Sequence, residues 1–275
     1  MTAATQLPAR TQARAAGRSY GFRSTATMEW LKLRSVRSTP AILAIFTAGM
    51  IGLSILVLKN EHYSSMSAAD RATFDPTNDG FTGLILGQLA FGVLGVLAIT
   101  SEFSSGMIRS TLGAVPRRPL VLAAKAAVAG AVMLIAGEIL AFVTFVIGEA
   151  ALGSSAPHAT FGQPGVLRAV LMAGAYPALI GLIGLGLGAI IKNTAAAISA
   201  LVGLVFVVPL ILVPLGAHLQ HAIGKFLPMI MASNSLVAVK PVPDNLAPGV
   251  AFGLLCLYAV AALGIGGWLL GRRDA

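Results

Sequence analysis

The chain is expected to fold as an all-α polytopic membrane protein with six transmembrane helices, and three observations carry that expectation. First, of 275 residues 56% are hydrophobic and only 11% charged, with a mean hydropathy of +0.85. A soluble domain carries about 25% charged residues, so a water-facing surface around a core of this size is excluded, and with it an ordinary soluble enzyme. Second, the apolar residues come in unbroken blocks rather than in alternating ten-residue strands, which excludes a β-barrel. Third, 31 residues are glycine and only 7% aromatic, a composition that suits helices packed closely in lipid.

The first 39 residues are polar and basic, with Arg, Ser and Ala prominent and no acid before Glu29. That composition imitates a transit peptide, yet a complete membrane domain follows, so residues 1–21 read as a disordered basic tail ahead of a six-span membrane domain over 22–275. Between Phe22 and Arg37, helical spacing puts Phe22, Ala26, Trp30, Leu33 and Val36 on one face with Arg23 and Arg34 beside it. Tryptophan and arginine on such a helix suit the lipid headgroup layer; the plainer reading is a membrane-proximal tail whose charges set topology.

A span needs about 20 apolar residues. Six blocks qualify: 40–58, 81–99, 126–148, 169–191, 195–215 and 248–270. Glu138 is the only charged side chain within them. An ionised carboxylate costs a few kcal/mol at the bilayer centre, so Glu138 is expected to be protonated, paired or facing a water-filled pathway; a neutral Glu bonded to a neighbouring helix is the structural alternative. Pro177, Pro209 and Pro214 should bend spans four and five. The run Gly181 to Gly188 (GLIGLGLG) lies within a span with no strand before it, so it is helix-packing glycine rather than a dinucleotide loop.

Between spans two and three, Ser101 is expected to cap a short helix running to about Gly113, with Glu102 in its first turn. Phe103 with Met107, and Ile108 with Leu112, would give that helix two apolar faces, one for the membrane domain and one for a second protein. Pro116 and Pro119 then stop it, and the chain re-enters the membrane past Arg117, Arg118 and Lys125. Between spans five and six, residues 216–247 mix apolar and polar side chains, which predicts short re-entrant or interfacial helices at the outer leaflet.

With both termini inside, the inner segments hold Arg10, Arg14, Arg18, Arg23, Lys32, Arg34, Arg37, Arg109, Arg117, Arg118, Lys125, Lys192, Arg272 and Arg273. The outer segments hold Lys59, Arg71, Arg168, Lys225 and Lys240, with Glu61, Asp70, Asp75, Asp79, Glu149 and Asp244. This satisfies the positive-inside rule and turns the net charge of +9 into a record of orientation rather than a sign of nucleic-acid binding. Cys256 is alone in a hydrophobic block, which leaves no disulfide or CxxC pair. No phosphate loop, HExxH or nucleophile elbow is present. His218 and His221 are three apart but lack a third ligand, so no metal is expected.

Three stretches resemble permease subunits of actinobacterial ATP-binding-cassette exporters of the type-two kind: MEWLKLRSVRSTP (Met28 to Pro40), ITSEFSSGMIRSTLGAVPRRPLVLAAKA (Ile99 to Ala126) and LIGLGLGAIIKNTAAAI (Leu182 to Ile198). The middle one is the most specific, and the resemblance covers the chain from Phe22 onward. It implies that Phe22, Trp30, Leu33 and Arg34 belong to a connecting helix at the interface. It also implies that Glu102, Phe103, Gly106, Met107, Arg109, Arg117 and Arg118 form a cytoplasmic coupling helix docking on a separate ATPase. ATP and Mg would be bound by that ATPase dimer and no cofactor by this chain. A second permease subunit, either identical or a sister, would complete the exporter in the bacterial cytoplasmic membrane. Its cargo would be a drug-like, antibiotic or lipid-like compound. Two other readings stay open: a proton-coupled secondary transporter using Glu138, and a structural or sensory membrane protein without transport.

Overall fold

The computed structural model describes residues 21–35, 38–60, 63–115, 117–154, 156–216, 219, 222–238 and 246–272. The basic tail up to residue 20, Val36, Pro116, His218 and His221, Lys240, Asp244 and Arg273 lie outside them. Every regular element among the described residues is helical. In order they are α1 (Phe22–Ser35), α2 (Ser38–Asn60), α3 (Ala68–Thr73), α4 (Pro76–Gly80), α5 (Leu84–Ser104), α6 (Met107–Ala114) and α7 (Arg118–Ala151). They are followed by α8 (Val166–Ile191), α9 (Thr194–Val202), α10 (Val208–Leu212), α11 (Pro228–Leu236) and α12 (Pro248–Arg272).

Five helices are long and apolar enough to cross a membrane, as expected of an all-α polytopic membrane protein: α5, α7, α8, the composite Thr194–Leu215, and α12. α2 carries a shorter apolar stretch, Ala44–Asn60. α8 is the central post, packing against α5, α7 and α12. Its glycines set the distances. A Cβ on Gly95 of α5 would fall 1.8 Å from the Gly181 carbonyl oxygen, one on Gly137 of α7 2.2 Å from that of Gly174, and one on Gly186 2.6 Å from Ala262 of α12. With lipid tails as apolar as leucine, close backbone approach is what makes such helices associate, and the glycine run of α8 serves three neighbours at once.

Two helices depart from the expected spans. α5 runs to Ser104, five residues past the expected end at Ile99. α7 begins at Arg118, eight residues before the expected start, and its 34 residues reach about 50 Å, well beyond a hydrocarbon core of about 30 Å. In the fifth apolar segment the helix passes through a π turn at Gly203–Val207 just before Pro209. The Val208 N–H bonds the Gly203 carbonyl five residues back, and the next residue, Pro209, cannot donate to the carbonyl four residues back. The short helix foreseen before the last span is α11, preceded by a 3-10 turn at Gly224–Phe226.

At the end of the bundle opposite α1 and α6, one clasp holds this helix. Arg168 at the start of α8 donates to the carbonyls of Val237 at 2.6 Å and Ser235 at 3.4 Å. Asp75 accepts from the backbone N–H of Ala238 at 2.7 Å and caps α4 through Thr77 and Asn78. Both charges were expected only as outside loop residues.

Candidate functional site

α1 shows two different faces. Phe22 and Trp30 are 46% and 48% exposed, and Arg34 is exposed with them, whereas Leu33 is half-buried. The adjoining face carries Thr25 and Glu29, which are buried, and Lys32 beside them, and it lies against the start of α7.

The α5–α6 junction corrects the expected coupling helix. Ser101 is not a cap: its hydroxyl donates to the Leu97 carbonyl from within α5. Ser104 and Ser105 likewise donate their hydroxyls to the Ser101 carbonyl, which also accepts the Ser105 backbone N–H. Gly106, at φ 72°, then takes the left-handed conformation that costs other residues roughly 1–2 kcal/mol and turns the chain into α6. Phe103 and Met107 therefore belong to different helices. Phe103 is half-buried with the Lys192 ammonium 5.4 Å from its ring centroid, while Met107 is 48% exposed. On α6, Ile108 and Thr111 face inward and are buried, whereas Arg109, Ser110 and Gly113 are exposed.

Glu102 does not face outward either. It is buried on the last turn of α5, in a closed ring of two acids and two lysines. Lys32 Nζ donates to Glu29 Oε1 at 2.9 Å, to Glu102 Oε1 at 2.9 Å and to Thr111 Oγ1 at 3.1 Å. Lys125 Nζ donates to Glu102 Oε1 at 2.8 Å and to Glu29 Oε2. The ring joins α1, α5, α6 and α7. Glu29, Glu102 and Lys125 are each no more than 5% exposed. Charges so buried persist only when paired, and here each lysine lies between two carboxylates, with no net charge. Burial alone would push the Lys32 ammonium down; its hydrogen bonds to Glu102 and Glu29 outweigh that and hold it above the usual lysine value.

Arg117 and Arg118 sit apart from the outer face of α6. Arg117 is exposed ahead of α7, and Arg118 donates to the Leu270 carbonyl of α12 at 3.3 Å. Glu138 is far from the ring, halfway along α7, with its carboxyl packed against Gly174 and its Oε2 buried without a hydrogen-bond partner. Among the described residues no three His, Cys, Asp or Glu side chains gather as metal ligands would.

A second polar feature lies between α5 and α8. Tyr176 donates to Gln88, both fully enclosed, at a cavity of about 250 Å³ that α4, α5, α8 and α11 line. One turn further along α5, the contacts of Gly92 and Gly95 with Gly184 and Gly181 close the same interface backbone to backbone.

Sequence reasoning passed over Glu29, Lys32, Thr111 and Lys125, treating the lysines as topology charges. The available signal was Lys125 lying inside the motif that carries the resemblance, and an acid and a base three apart in α1. No family model matches the chain, and no curated protein matches it.

Proposed function

We propose that this chain is the membrane-spanning subunit of an ATP-powered exporter, with six spans counting α2 and both termini on the cytoplasmic side of a bacterial cytoplasmic membrane. The observation that carries the reading is α6. It is a short helix beyond the membrane-spanning segments, with Met107 and Arg109 outward, and Thr111 on its inner face joins it through the buried ring to α1, α5 and α7. A helix that only turned the chain round would not need four paired charges beneath it, three of them buried. A force applied to α6 by a separate ATPase would reach α5 and α7 together, and with them the α5–α8 interface where the cavity and the glycine contacts lie.

In this reading ATP and Mg belong to the ATPase dimer, and this chain supplies docking through Met107 and Arg109, with Gly106 setting the helix angle. Glu102 acts from beneath as a positioning residue, and Phe103 braces the α8–α9 turn through Lys192. A second permease copy or sister completes the assembly, and the cargo is a drug-like, antibiotic or lipid-like compound. The unpartnered Glu138 Oε2 favours one rival, a proton-coupled transporter.

Co-expression with an ATPase encoded beside this chain tests the proposal. Co-purification that is lost in Met107→Glu and Arg109→Glu supports it. Absence of any complex, or ATP-driven efflux indifferent to those variants, refutes it. Efflux that follows the proton gradient and stops in Glu138→Gln would establish the rival.

A further inference from the structure

The start of α7 and the end of α12 enclose an open cleft of about 590 Å³ lined by Arg117, Arg118, Pro119, Leu120, Ala123 and Gly271. Its two cations stand over an otherwise apolar floor. The Arg118 guanidinium is held against α12 by the Leu270 carbonyl, and Arg117 is exposed. The amino end of the long helix α7 adds the positive end of its dipole.

The depth of the cleft in the membrane follows from α12. Trp268, 55% exposed, lies one turn before the helix end, and the Arg272 guanidinium sits 4.5 Å from its ring centroid. Tryptophan at the end of a span sits at headgroup level, which places Arg117 and Arg118 among lipid phosphates. Below the cleft, Ala123, Ala127 and Ala131 are exposed one above the other along α7. They form a shallow track that leads from the arginines toward the hydrocarbon.

We propose that this cleft binds an anionic phospholipid of the adjoining leaflet, with the headgroup phosphate between Arg117 and Arg118 and an acyl chain along the alanine track. Basic pockets between spans on the cytoplasmic side are suited to such headgroups. A soluble phosphate would use the arginines but not the apolar floor. The site is independent of ATPase docking, because its arginines lie on the α12 side of α7.

The experiment uses the full chain in neutral detergent, with native mass spectrometry and thermal unfolding as readouts. Phosphatidylglycerol should be retained and should raise Tm more than phosphatidylcholine with the same acyl chains. Arg117→Gln should weaken retention roughly fivefold, and the double variant with Arg118→Gln further. Ala127→Trp, which keeps both charges and blocks the track, should weaken it as well, whereas Arg109→Gln on α6 should not. If Arg118→Gln unfolds the protein by losing its bond to α12, Arg117→Gln and Ala127→Trp still decide. Equal retention of the two lipids, retention unchanged in Arg117→Gln, or displacement of the lipid by millimolar inorganic phosphate would each overturn the proposal.

Discussion

Lys125 touches both acids of the ring, and its removal strands two buried carboxylates on one lysine. Breaking a buried pair by deleting one partner costs about 3–5 kcal/mol. Lys125→Met is therefore expected to lower thermal stability in detergent by an amount of that order, while Arg109→Gln on exposed α6 should change it by less than about 0.5 kcal/mol. Adding Glu29→Gln to Lys125→Met should recover part of the loss, since it removes one of the stranded charges; a double variant no more stable than the single would contradict the ring. The pH dependence has a fixed sign. The Lys32 ammonium is held above its ordinary 10.5 in the fold, so its contribution is fully present below the unfolded value and is lost only as pH rises through the folded one. A melting series across the neutral range should show no loss from Lys32. Beyond the Glu29–Lys32 spacing and the place of Lys125 in the motif, the ring was not legible in the sequence, because Glu29 and Lys125 are 96 residues apart and the lysines satisfy the positive-inside pattern whether or not they meet the acids. Gln88 and Tyr176 escaped for a different reason: an uncharged polar residue in a span does not stand out where only charge is counted.

Helices were more legible than their ends. The apolar blocks locate the long helices because nothing else tolerates 20 such residues in lipid. Hydropathy falls at the membrane surface, however, while the backbone hydrogen bonds continue, and so α5 and α7 run on past the blocks. That is why Ser101 read as a cap and proved to be helix interior. The glycine run of α8 was read correctly as packing, and its consequences can be measured. Gly95→Ala puts a methyl into the Gly181 backbone, with no flexible side chain to yield, and should destabilise by about 1–3 kcal/mol or more. Gly253→Ala on α12 meets nothing within 4 Å and should be neutral or stabilising, because alanine favours the helix by about 1 kcal/mol. Equal melting temperatures for the two variants would contradict the α5–α8 contact. At the opposite end of the bundle, Asp75→Ala removes the cap of α4 together with the tie to Ala238. It should cost about 1–2 kcal/mol and expose the 228–236 segment to proteolysis before the bundle melts.

For the molecule as a whole, the two ends of the bundle are chemically different, and that difference makes the proposed orientation testable. One end gathers α1, α6, Arg117, Arg118, Lys192 and Arg272. The other holds α3, α4, α11 and the 152–165 loop, where Glu149 Oε2 faces His158 at 3.3 Å. Between them the exposed side chains are apolar, Ile135, Ile139 and Val146 on α7 and Leu257, Val260 and Ile265 on α12, so the sides of the bundle belong in lipid. In the proposed orientation, which follows the tendency of positively charged segments to stay in the cytoplasm, Ser110 of α6 is expected inside and Ser154, beyond the end of α7, outside; both are exposed. Cys256 is the only cysteine of the chain, and Cys256→Ser clears the background at little cost because the side chain is only half-buried. In that background Ser154→Cys should react with a membrane-impermeant maleimide added to intact cells, and Ser110→Cys only after the membrane is opened. The reverse pattern would invert the bundle and place α6 beyond the reach of any cytoplasmic ATPase, removing the basis for ATP-driven export. Labelling of both sites in intact cells would mean that the cation-rich end is not enclosed by the membrane at all.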